Sequence, residues 1–312
     1  MTRLPRPVTT HRALAAVAAI VLAAGLTACG DDEPTAQDPG SDETTAAVDD
    51  DPTDEPTDGG VDESETPDPA GTVTVPIYFA GETPQGYRLF REFRKVEADN
   101  PMEEAVALMV AGDALDPDYL TLWTDGSFDS ISFSDGAGAV VAQVADDGWS
   151  EVPGDMTKEQ AKLALQQLVY TLQGIQQERV PVLVQNGADP ATIYGIDTEG
   201  GLKAAPQLDV LAFMNVTTPE EGQSVGDTFT ATGVGSSFEA TVLWEVRDER
   251  GTAVLDGFTT ADGWMDKLYP WKADVDVSSL DPGTYSFVAI TDDPSDGEGG
   301  GPTEDSKTIV VS

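Results

Sequence analysis

Alternation of apolar and polar side chains opens the legible part of the chain. Val73, Val75, Ile77 and Phe79 alternate with Thr72, Thr74, Pro76 and Tyr78, which is the two-residue period of a half-buried strand. Pro76 cannot donate to a ladder, so this strand is expected at an edge. Tyr87 to Val96 predicts a second strand after a turn at 81–86. The period then lengthens. Asn100 precedes Pro101, with Glu103 placed to complete a capping box, and Met102, Ala105, Val106 and Met109 recur at helical spacing until Gly112. Ile131, Phe133, Val140 and Val144 flank Asp135-Gly136, a hairpin signal. A second helix opens at Thr157 with Gln160 three residues on, and carries Ala161, Leu165, Leu168, Leu172 and Ile175 as its stripe. A strand follows at 180–184. Two amphipathic helices on one small sheet bury both stripes most simply, which makes 71–207 an α+β domain.

From 208 onward helical periodicity gives way to short alternating runs. Ala240, Val242, Trp244 and Val246, then 284–290 and 308–311, predict strands separated by turns, with a hairpin loop at 248–251. About 100 residues of this pattern predict an all-β sandwich over 208–312. Leu280-Asp281-Pro282-Gly283-Thr284-Tyr285 is similar to the tyrosine corner of immunoglobulin-like folds, and Trp244, Phe258 and Phe287 are the expected core.

The first 70 residues have a different character. Arg3, Arg6 and Arg12 precede an apolar run from Ala13 to Gly25, too short to span a bilayer but suited to a signal peptide. It ends in Leu26-Thr27-Ala28-Cys29, which contains the chain's single cysteine and resembles the lipobox of bacterial lipoproteins. That resemblance implies a signal peptide at 1–28 and a mature chain starting at Cys29. It also implies diacylglycerol and acyl (palmitate) lipid on the thiol, and a place on the outer face of the cell membrane. Between Gly30 and Ala70 stand 16 Asp or Glu and no Lys or Arg. Such a stretch buries too little to offset its ordering entropy, so 29–70 reads as an acidic disordered tether reaching roughly 35 Å.

Charge and composition then narrow the chemistry. The net charge of −41, from 57 acidic and 16 basic residues, disfavours nucleic acid as a partner. His11, the one histidine, leaves with the leader, which removes imidazole catalysis and the usual zinc sites. Asp125, Asp129, Asp146, Asp147 and Glu151 could in principle supply paired carboxylates for glycan hydrolysis, but nothing in the sequence places two of them across a cleft, and turn chemistry explains acids beside glycines equally well. The expectation is a protein that is not an enzyme and has no cofactor apart from the lipid.

Residues 72–196 resemble the GerMN domain, named from spore germination and sporulation proteins. The resemblance rests on the 73–79 strand, the Val110-Ala111-Gly112-Asp113 helix end, the Asp135-Gly136 hairpin and Leu168-Val169-Tyr170-Thr171-Leu172. Residues 209–312 resemble the Gmad2 immunoglobulin-like domain through Gly233, the run 237–242, Arg247-Asp248-Glu249-Arg250-Gly251, Pro282-Gly283-Thr284-Tyr285 and the run 293–298. Together with the leader and tether, the pairing looks like an actinobacterial envelope lipoprotein. It implies an interaction module, with envelope proteins such as a sensor kinase, wall or secretion components as partners. A self-assembling ring or scaffold and a glycan- or solute-binding lipoprotein are the alternatives.

Candidate partner-binding residues are Arg88, Arg91, Arg94 and Lys95, which concentrate the scarce basic charge, and the aromatics Trp264 and Trp271, expected in a connection of the sandwich beside Tyr269. Asp292, Asp293, Asp296 and Glu298 form a weak calcium candidate in a glycine-rich loop, although their spacing does not fit an EF-hand.

Overall fold

The computed structural model describes residues 71–293, 297 and 300–312. The leader, the lipobox at 26–29 and the acidic tether lie outside the described residues. All described residues fall within one compact unit.

The first domain runs β1 (Thr72–Thr83), β2 (Gly86–Glu97), α1 (Pro101–Ala111), β3 (Tyr119–Leu120), β4 (Phe128–Ser134), β5 (Ala139–Val144), α2 (Lys158–Gln176), β6 (Val182–Asn186), β7 (Asp189–Pro190), β8 (Thr192–Ile193), β9 (Ile196–Asp197) and α3 (Gln207–Val210). Its strands divide into two main sheets, β2-β1-β3 and β4-β5-β6-β7, rather than the single sheet expected. α1 packs against β1, β2 and β4 and joins the two. β3 meets β1 only at Ala80 and Gly81, which leaves the Pro76 stretch at an edge as its chemistry requires. The nearby edge amide of Tyr78 donates instead to Thr171 Oγ1 of α2, 3.1 Å away.

The helix ends differ in one instructive way. At α2 the Thr157 hydroxyl accepts from the Gln160 amide and the Gln160 side chain accepts from the Thr157 amide, a complete capping box. At α1 the Asn100 side chain makes no cap, and Glu103 does not turn back to it. Glu103 Oε1 accepts from the Ile131 amide of β4 at 3.1 Å, so a tertiary donor displaces the local one. Gly112, left-handed at φ 69°, closes α1 as expected.

The second domain runs β10 (Met214–Thr218), β11 (Gln223–Val225), β12 (Thr228–Gly235), a 3₁₀ turn at Phe238–Ala240, β13 (Thr241–Arg247), β14 (Ala253–Thr260), β15 (Tyr269–Asp276), β16 (Gly283–Thr291) and β17 (Glu304–Val311). Sheets β10-β12-β15 and β11-β17-β16-β13-β14 face each other as a sandwich. Val242, Val246, Trp271, Val275, Phe287 and Ile309 fill the space between them. The Tyr285 hydroxyl donates to the Asp281 carbonyl at 3.0 Å, the bond that defines a tyrosine corner.

Two expectations for this domain need correction. Tyr269 and Trp271 lie in strand β15, not in a connection, and Trp271 is buried beneath Gly233, where a Cβ would stand 2.5 Å from the indole. Phe258 is 73% exposed and does not belong to the core. It pairs with Leu243 on the outer face, while Trp244 is seated inward over Gly257. The register that gives Trp244 its glycine turns Phe258 out.

Candidate functional site

The densest chemistry lies where the two domains meet. The chain leaves α3, pairs Leu211 alongside Leu89 of β2, and enters β10. The Ala212 amide donates to the Leu89 carbonyl at 2.9 Å. Arg88, also on β2, donates to the Leu208 carbonyl at 2.6 Å and lays its guanidinium 4.4 Å from the Phe213 ring centroid. Arg91 donates to the Thr217 hydroxyl at 3.2 Å and lies over Phe93. Arg94 holds the Asp113 carbonyl and carboxylate after α1 and lies 3.7 Å from Glu92. The basic strand is thus largely committed within the molecule, with Arg88 and Arg91 fastening the sandwich to the first domain. Lys95 is exposed on the same strand.

Beside this strand a charged cluster is sealed from solvent. Lys307 of β17 places Nζ 2.5 Å from Asp116 Oδ2, 2.7 Å from the Tyr119 hydroxyl and 3.3 Å from Asp305 Oδ1. Lys307 and Asp305 are each 4% exposed and Asp116 is 2% exposed. Asp116 and Tyr119 come from the first domain, and Asp305 and Lys307 from the second. Asp305 has the more hydrogen-bond donors of the two carboxylates. It accepts from the Tyr119 hydroxyl at 2.7 Å, the Val216 amide at 2.5 Å and the Asn215 side chain at 3.4 Å. Asp116 has Lys307 and the Asp118 amide, while its own amide donates to Glu92.

One cation facing two buried carboxylates sets the electrostatics. Burial pushes the Asp116 carboxyl up to about 6, because Lys307 and the Asp118 amide only partly offset the lost hydration. Burial works against the charge on Lys307 as well, but Asp305 and Asp116 outweigh it and raise the ammonium. Burial, followed by the Asp305 and Asp116 charges, drives the Tyr119 hydroxyl well above its ordinary range, so it serves as a neutral donor.

None of these four residues stood out in the sequence, yet β17 carried a signal. Ile309 and Val311 face the core, and the same alternation places Asp305 and Lys307 on that face. A lysine and an aspartate at core positions of a strand require partners.

The other candidates are dispersed. Trp264 is 37% exposed and meets Phe238 edge-on at 5.2 Å, far from the role of the buried Trp271. Asp146 accepts from the Gly148 amide two residues on, which is turn chemistry, and Asp147 accepts from the Asn186 side chain 39 residues later. Asp293 accepts from the Gly297 amide at 2.9 Å, while Asp296 and Glu298 lie outside the described residues. Among the described residues no three His, Cys, Asp or Glu side chains converge as metal ligands.

An α+β domain joined to an immunoglobulin-like sandwich defines a two-domain class, and a family model matches part of each domain. Residues 76–188 match the family model described as sporulation and spore germination, Germane. Residues 213–298 match that of the immunoglobulin-like domain of bacterial spore germination, Gmad2. Each match lies inside the span whose motifs resembled that family, the first within 72–196 and the second within 209–312. Among solved structures the chain is similar to the tandem GerMN domains of the sporulation protein GerM from Bacillus subtilis, at 13% identity and a TM-score of 0.34, covering 46% of this chain and 48% of that one. A Jonesia denitrificans lytic polysaccharide monooxygenase is similar at 14% identity and a TM-score of 0.21, covering 30% of this chain and 60% of that one. The chain thus spans about half the length of the GerM structure. No curated protein matches.

Proposed function

We propose that this protein is a non-catalytic adaptor of the cell envelope, of the sporulation and germination type. In this reading lipid on Cys29 holds it to the outer face of the cytoplasmic membrane. The 29–70 segment spaces it from the surface, and the two domains together present a fixed body to partner proteins. The observation that carries the reading is the filled seam. Solute receptors and many enzymes bind in an open crevice between lobes, whereas here Lys307, Asp116, Asp305 and Tyr119 pack the junction shut. A body with a locked junction suits presentation of surfaces better than closure around a ligand.

Two measurements test this. Cys29→Ala should move the protein out of the detergent phase or stall its processing, and unchanged partitioning would sink the anchor. Crosslinking of the native protein in intact cells, read by mass spectrometry, should recover an envelope protein. Recovery of the protein alone, or of nothing, would overturn the adaptor reading.

A further inference from the structure

α1 and β4 enclose an open groove of about 600 Å³ that the seam does not use. Val106 and Val110 from α1, with Phe128 and Ile131 from β4, give it apolar walls. The far lip is firm. Gly126 lies so close to Trp149 that a Cβ would stand 2.5 Å from the indole, and Phe128 packs 5.0 Å from Trp149 and 5.7 Å from Trp123. Four carboxylates, Glu103, Glu104, Asp125 and Asp129, stand around these walls, and no Lys or Arg lines the groove. Glu103 and Glu104 each accept one backbone amide. Asp125 and Asp129 are exposed and have no hydrogen bond or ion pair among the described residues.

Charge complementarity selects the occupant. The chain's own 30–70 segment, with 16 acids and no base, is repelled from such a groove. A second copy is equally unsuited, since acidic residues outnumber basic ones 57 to 16 and Arg88, Arg91 and Arg94 are engaged. Addition of a strand to the free edge of β4 is obstructed where Glu103 caps the Ile131 amide. We propose that the groove receives a basic segment of another protein, with an aliphatic side chain seated between Val110 and Phe128 and Lys or Arg reaching Asp125 and Asp129. This inference rests on the adaptor reading and gives its partner a chemistry.

The test is a titration of the full lipoprotein in detergent with a synthetic peptide of alternating lysine and leucine, followed by tryptophan fluorescence. Trp123 and Trp149 adjoin Phe128 and report on occupancy. Saturable binding is expected, with none for the glutamate–leucine counterpart. Asp125→Asn with Asp129→Asn should weaken it about ten-fold. Ala107→Trp, made at an exposed helical position on the groove, should abolish it. Glu249→Gln with Asp256→Asn, exposed acids on the sandwich, should leave it unchanged. Equal weakening by both pairs would mean diffuse attraction to an acidic surface and would overturn the proposal, as would undiminished binding in Ala107→Trp. A partner crosslink in cells that survives Ala107→Trp would remove this groove and leave the adaptor reading standing. Groove binding without any crosslinked partner would do the reverse.

Discussion

Removing the Lys307 cation should unlock the two domains. Methionine preserves the aliphatic stem but leaves Asp116 and Asp305 in a nearly dry site, 2% and 4% exposed, without their shared counter-charge. Three contacts of 2.5, 2.7 and 3.3 Å are lost at once. Stripping one partner from a buried pair typically destabilises by about 3–5 kcal/mol, since the stranded charge remains desolvated. Lys307→Met should therefore lose about that much near neutral pH. Protonation offers an escape, because the Asp116 carboxyl already titrates at about 6, so the loss should shrink once the pH falls below that value. Urea unfolding followed by tryptophan fluorescence is the assay. Trp123 and Trp149 belong to the first core, and Trp244 and Trp271 to the second, so both halves are visible. The parent should unfold in one transition and Lys307→Met in two. A loss below about 1 kcal/mol near neutral pH, or one equally large in acid, would refute the idea that the cation holds the seam.

Further expectations concern single residues. Since the folded Asp116 carboxyl titrates at about 6 against 3.8 when unfolded, the stability it adds is full below about 3.8 and lost as the pH rises through about 6. The difference in unfolding free energy between parent and Asp116→Asn should thus fall by up to about 3 kcal/mol across that window, and a flat difference would count against the shift. Thr157→Ala should cost about 1 kcal/mol by urea titration, whereas Asn100→Ala should change little, because only the former residue caps its helix. Gly233→Ala would push a Cβ to 2.1 Å from the Asn215 carbonyl and should destabilise by about 1–3 kcal/mol or more, lowering the thermal midpoint of the sandwich. An unchanged midpoint would show that β10 yields more easily than its packing suggests.

Local rules carried the sequence reading as far as local competitors allowed. The α2 cap was legible because Thr157 and Gln160 find their partners within one turn, and the Tyr285 corner because its acceptor is four residues away. The α1 cap was not, since the Ile131 amide reaches Glu103 from 28 residues along the chain. Phe258 looked like core by its hydrophobicity alone, and only the seating of Trp244 over Gly257 decides which face it takes. The basic strand was noticed for its charge, but the internal partners of Arg88 and Arg91, in α3 and β10, lie more than 100 residues later and left no local signal. The Lys307 cluster depends on partners about 190 residues apart, which no periodicity can register.

That separation also fixes an order of events during synthesis. Asp116 emerges 191 residues before the lysine that neutralises it, so the first domain must exist for a time with its acidic contact open to water. A chain interrupted anywhere before β17 therefore lacks Lys307 and Asp305, and Asp116 and Tyr119 stay without their partners from the second domain.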